Sequence, residues 1–253
     1  MSKQKSKAEL IKHKDRALAS LDSYLTSLIQ SNNNDLNGKA DKLSYWLEDY
    51  SRYLSFETSF NPSSLKRYKR GDIIQVHLGY RLCSEEGGLH YAVVLDKANN
   101  IHSPVITVVP LTSIKPNKDL SRLKPTEILL GDTIYQQMYD KAKNKSQELN
   151  AALSQVEDGL NHLPSDNPSY KFLLDELEQK LKEIHTDITF YDKLKQQING
   201  MKKGSIALVN QITTVSKIRI YDPKTSRDIL GGIRLSSEKL DLIDQCIKNN
   251  YIK

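Results

Sequence analysis

Between residues 131 and 202 the chain leaves one periodicity and later returns to it. Ahead of this stretch stand short runs rich in β-branched residues. They are Asp72–Leu78 ended by Gly79, Tyr91–Leu95, Val105–Val109 between Pro104 and Pro110, and Thr126–Leu130. Such runs, bounded by turn formers, read as strands of a small sheet or barrel. Strands resume at Ser205–Val209 and again from Thr214 to Ile220. The intervening segment has helical spacing instead: Ile134, Met138, Leu149, Leu153, Val156 and Leu160 mark one long amphipathic helix. Leu174, Leu177, Leu181, Ile184, Ile188, Tyr191 and Ile198 follow at three- and four-residue steps with one wider gap, close to a heptad seam. A Pro-containing turn at 163–168 joins the two, and Asn199-Gly200 ends the second. A sheet split by an inserted antiparallel helical hairpin is the expectation.

Helices also precede the sheet. Leu10, Ile11, Leu18, Leu21, Leu25, Leu28 and Ile29 recur at helical spacing, and the polar run 31–35 breaks the pattern. A second helix runs through Leu43, Trp46, Leu47 and Tyr50, followed by a turn at Asn61-Pro62-Ser63-Ser64. Ser236 or Ser237 caps a last helix carrying Leu240, Leu242, Ile243 and Ile247, with Glu238 suited to its positive end. The class is therefore α+β. Its parts are a helical region over 1–66, a β-domain over 67–130 and 203–253, and an inserted coiled-coil hairpin over 131–202.

Of 253 residues, 27% are charged and the net charge is +6. Apolar runs fall short of the ~20 residues a membrane span needs, and the basic N-terminus lacks a secretory pattern. The cytoplasm is the expected compartment, with no membrane partner. Cys83 and Cys246 are far apart, and His77, His102, His162 and His185 show no ligand spacing, so neither metal nor other cofactor is expected. Positive charge permits nucleic-acid binding, since basic side chains release counterions from phosphates. It is concentrated at Lys66, Arg67, Lys69 and Arg70, which read either as phosphate contacts or as a solvated basic turn.

Four segments in order carry a resemblance. They are Tyr68–Ile74 with its Arg-Gly-Asp step, Ser84–Leu95 with Ser-Glu-Glu-Gly-Gly leading into a strand, Ser103–Ser113, and Val209–Val215. Together they resemble the PemK/MazF toxin family, and the final helix falls where that family places its own. The match covers about 115 residues; the N-terminal helices and the hairpin lie outside the usual short toxin.

The resemblance implies a compact SH3-like β-barrel that usually dimerises and is opposed by an antitoxin protein. It implies an endoribonuclease cutting single-stranded RNA without a metal. The 2′-hydroxyl attacks the adjacent phosphate, leaving a cyclic phosphate and a 5′-hydroxyl. This chemistry needs a base, an acid and donors around the phosphorane.

His90 stands where the family places an arginine, Thr213 replaces a second arginine, and Tyr91 replaces a proline. Thr112 matches the hydroxyl that supports the phosphate, with Ser113 beside it; Glu85 matches a loop glutamate, and Gln211 a glutamine. His90, Thr112 and Glu85 are thus the candidate catalytic residues. Lys69, Arg70, Ser84, Gly87, Gly88, Ser113, Gln211 and Thr213 are candidate RNA contacts. Histidine titrates near neutrality, so the exchange at position 90 can preserve activity by an altered proton path. Alternatively the charge clamp is lost and the domain is a catalytically degenerate nucleic-acid-binding or regulatory module. Gly87 and Gly88 lack the Lys-Ser or Lys-Thr of a nucleotide-binding loop.

Overall fold

A computed structural model describes residues 5–161 and 170–252. The chain divides into two compact units. One comprises residues up to Phe60 together with Leu78–Gly88; the other comprises Asn61–His77 and Leu89 onward.

In the first unit, α1 (Lys7–Ile29) and α2 (Asn34–Phe56) pack against each other. The start of α1 is a reciprocal cap: the Glu9 carboxylate accepts from the Ser6 amide at 2.7 Å, and the Glu9 amide donates to Ser6 Oγ at 3.3 Å. The polar run that interrupts the helical pattern supplies the next cap, with Asn33 Oδ1 accepting from the Asp35 amide at 2.8 Å. Leu28, Ala40 and Leu43 are the buried positions of the pair. Segment 78–88 clusters with these helices although it connects two strands of the other unit. Its neck is closed by Leu78 N–H donating to the Gly88 carbonyl at 2.7 Å and Gly88 N–H donating to the Gly79 carbonyl at 2.8 Å. A Cβ at Gly87 would stand 2.7 Å from the Gly79 carbonyl oxygen, so only glycine fits this crossing.

Among the described residues the second unit holds seven antiparallel strands: β1 (Ile73–His77), β2 (Leu89–Val94), β3 (Val105–Ser113), β4 (Glu127–Gly131), β5 (Ser205–Leu208), β6 (Thr213–Ser216) and β7 (Ile220–Asp222). Their order is β4-β5-β3-β2-β1-β7, with β6 also on β3. The expected barrel is not closed: among the described residues no ladder joins the end strands β4 and β7. Strand β3 organises the sheet. Its first residues pair with β6, its middle with β2, and Leu111–Ser113 with β5. The single strand expected over Thr214–Ile220 breaks in two at Lys217, whose buried ammonium donates to the Asn100 carbonyl at 3.0 Å. The chain turns there and leaves β3 for β1.

Helices α3 (Thr133–Asn161) and α4 (Tyr170–Gly200) join β4 to β5, which are adjacent partners. Antiparallel neighbours need only a short connection. A helical hairpin returns to its own starting point, so it can replace such a turn without displacing either strand. The turn expected at 163–168 lies outside the described residues. At the base of the hairpin, Ile134, Met138, Leu194 and Ile198 enter the main core with Ile73, Val93 and Val109 of the sheet. The C-terminal helix α5 (Ser237–Tyr251), capped by Ser236, adds Ile243 and Cys246.

Farther out, the hairpin buries Leu149 and Val156 against Leu177 and Ile184. The expected seam is thus narrower than a full heptad pair, with Leu181 and Ile188 exposed. Two helices enclose one stripe each, and Leu153 and Leu160 on α3 are exposed as well. Leu194, fully buried, fills the wider gap left between Tyr191 and Ile198.

Candidate functional site

Side chains alternate across a strand. In β3 the buried Leu111 faces the core, which turns Thr112 to the opposite side. The β2–β3 register pairs Ala92 with Pro110, and continuing it by two residues sets His90 opposite Thr112. His90 Nδ1 lies 3.2 Å from the Leu111 carbonyl oxygen. A carbonyl only accepts, so this bond assigns the hydrogen to Nδ1; the neutral ring then carries its lone pair on Nε2.

His90, Tyr91, Thr112, Ser113, Lys202 and Ser205 line a pocket of about 270 Å³. Of these, the sequence points to His90, Thr112 and Ser113, and marks Tyr91 only as a departure from the family pattern. Tyr91 Oη accepts from Gln197 of α4 at 2.9 Å and so ties the hairpin to the pocket wall. Burial pushes its phenol up, opposed by the Gln197 bond and assisted by the Asp222 charge, so it stays protonated. Ser205 arrives by pairing with Ser113 across β3 and β5. Lys202 arrives because α4 ends at Gly200 beside the sheet. The one available signal is the Lys202-Lys203 pair, one residue beyond the helix-stopping Asn199-Gly200.

The lining of this pocket does not include the other expected site residues. Glu85 and Ser84 belong to the 78–88 loop, where the Glu85 carboxylate accepts from the Leu82 amide at a long 3.4 Å and the Glu85 amide donates back to the Leu82 carbonyl at 3.1 Å. Gly88 has φ +84°, a left-handed conformation natural to glycine. Glu85, Gly87 and Gly88 therefore shape the loop itself. Arg70 is held by the Leu95 carbonyl and the Asp244 carboxylate. The Lys69 amide donates to Asp72 at 3.1 Å, while its side chain is exposed. Gln211 closes a short turn after β5, and Thr213 pairs with Val108 at the start of β6; neither lines the His90 pocket.

A larger pocket of about 870 Å³ lies where α3 and α4 meet the 226–233 segment. Several of its charges are already engaged. The Lys141 ammonium donates to the carbonyls of Asp228, Ile229 and Gly231, each at 2.9 Å, and Lys145 pairs with Asp187 at 2.8 Å. The Lys141 bonds hold the segment to the hairpin, and the Lys145–Asp187 pair joins its two helices. Size alone therefore does not favour this pocket over the smaller one. Among the described residues no group of three or more His, Cys, Asp or Glu side chains is placed to hold a metal ion. No helix there is long and apolar enough to cross a membrane.

Residues 69–155 match the family described as PemK-like, MazF-like toxin of type II toxin-antitoxin system. The matched segment runs from the Arg-Gly-Asp step through β4 and most of α3. No curated protein matches the chain.

Proposed function

We propose that the chain, whose residues 69–155 match the model of the PemK-like, MazF-like toxins, is a toxin-type endoribonuclease acting on single-stranded RNA, with a protein antitoxin as its partner. One observation carries the reading: His90 and Thr112 meet in one pocket, with the His90 Nδ1 hydrogen engaged by a main-chain carbonyl. In the proposed reaction Nε2 takes the proton of the 2′-hydroxyl. The 2′-oxygen forms a bond to phosphorus as the bond to the 5′-oxygen breaks. The departing 5′-oxygen takes a proton from water, giving a 2′,3′-cyclic phosphate and a 5′-hydroxyl. The Leu111 carbonyl stabilises the imidazolium that forms, because its negative end faces the charge. The Thr112 and Ser113 hydroxyls and the Lys202 ammonium are donors suited to the phosphorane oxygens.

This arrangement differs from a clamp built on arginine. A histidine carries the proton, while the positive charge comes from a lysine at the end of the inserted hairpin. The test is incubation with a long single-stranded RNA in EDTA. Discrete cuts ending in cyclic phosphate are expected, with His90→Ala reducing the rate about 10²–10⁴-fold. RNA binding without cuts across varied sequences would support the binding-module reading instead.

A further inference from the structure

We propose that the helical insertion builds a second, anion-binding subsite onto the His90 pocket, a lysine-lined track for the backbone of the RNA strand leaving it; this rests on the RNA reading of that pocket. The β3–β5 ladder pairs Thr112 with Ile206 and Ser113 with Ser205. It runs on through Ile114 N–H donating to the Gly204 carbonyl at 3.1 Å. Continued one step farther, this register sets Lys115 opposite Lys203, and both border one recess. Like charges directly across a ladder repel, yet among the described residues no carboxylate lines this place. Lys115, Lys118, Lys202 and Lys203 border a recess of about 550 Å³, and Lys202 also borders the His90 pocket. The two recesses therefore share a wall.

Among these lysines, Lys118 is paired within the fold, with Glu127 at 2.9 Å. The Lys203 ammonium lies 5.1 Å from the centre of the Tyr135 ring, which restrains it without neutralising it. Gly204 fixes the joint: at φ +83° it lies so close to Ile114 that a Cβ would come within 2.5 Å of that side chain. Two exposed lysines thus stand beside a third, next to a turn that requires glycine. A polyanion crossing them would relieve their mutual repulsion and displace their counterions together. The track begins at the proposed cleavage pocket, so the partner is the phosphate backbone of the bound strand.

The test uses the full chain and a random-sequence RNA 12-mer with 2′-O-methyl riboses, which cannot be cut. Binding is followed by fluorescence anisotropy from low to high salt, beside cleavage of a long unmodified RNA. The K115E/K203E variant, at track lysines outside the His90 pocket, is compared with K182E/K193E, which makes the same charge change at exposed positions of α4. The track variant is expected to bind at least 10-fold more weakly. Its plot of log affinity against log salt should flatten by about 0.7 for each phosphate no longer neutralised, and KM should rise more than kcat falls. The K182E/K193E variant is expected to keep the wild-type slope. Equal slopes and affinities for the track variant and wild type would overturn the subsite while leaving the cleavage reading intact. Binding with the expected slopes but without cutting would support the track and remove the nuclease. Absence of both binding and cutting by the wild type would overturn both.

Discussion

Two groups of basic residues in the second unit differ in visibility and in use. Lys66, Arg67, Lys69 and Arg70 lie together in the sequence, yet two of them are spent on the fold. Lys66 pairs with the buried Asp72 at 2.9 Å, and Arg70 is held by Asp244 and the Leu95 carbonyl. Lys115 lies before the insertion and Lys202 and Lys203 at its end, yet they border one recess. Density along the chain measures local charge only. Whether that charge is available to a ligand depends on where carboxylates and carbonyls come to rest.

The comparison breaks most visibly at Asp72, which also receives Arg234 at 2.9 Å and the Lys69 amide. Asp72→Ala strands the Lys66 ammonium in a largely buried site and should cost about 3–5 kcal/mol. Chemical denaturation should register this destabilisation, whereas the salt dependence of RNA binding should match wild type. A change in slope instead would mean that the first group also contacts RNA.

Thr112→Val removes a hydroxyl beside the second group while keeping the shape. A fall in kcat of about 10²-fold is expected, with the melting temperature nearly unchanged. If the rate holds, Thr112 is a strand residue and no more.

Gly204→Ala bears on the joint itself. Its left-handed backbone and the close Ile114 side chain should lower stability by about 1–2 kcal/mol. RNA affinity should fall with it, because Lys202 and Lys203 shift; a drop in stability with unchanged affinity would separate the joint from the track.

The smallest effect belongs to Lys118, the paired member of the second group. Its bond to Glu127 is the main cause holding that carboxylate below its usual range. A depressed folded pKa gives stability above the unfolded carboxylate value, and this is lost as pH falls through the folded one. Lys118→Met should therefore be destabilised by up to about 1 kcal/mol at neutral pH. The gap to wild type should close in acid, as thermal melts from pH 7 to 3 would show; a constant gap would point to poorer packing.

The element pattern is largely readable in the sequence. Strand runs, helical spacing and the Gly-Gly loop are local signals, and the structure places elements close to each of them. Leu194 escapes a reading that follows the seam by its regular steps, although packing at the hairpin base needs a residue in the gap. The break between β6 and β7 is hidden because Lys217 does not look like a core residue; its buried ammonium finds a carbonyl from a distant loop. The clustering of loop 78–88 with α1 and α2 is equally invisible, since a compact unit need not be continuous in sequence.

By itself the sequence determined the split sheet, the helical insertion and the candidacy of His90 and Thr112, because periodicity and motif order are properties of neighbouring residues. Only the tertiary structure decided that the sheet stays open, that His90 Nδ1 meets Leu111, and that the end of the insertion brings Lys202 to the same pocket. The reason is physical. Register and pairing are long-range choices, settled by which strands share hydrogen bonds and which charges find partners, and neither is written in any one segment.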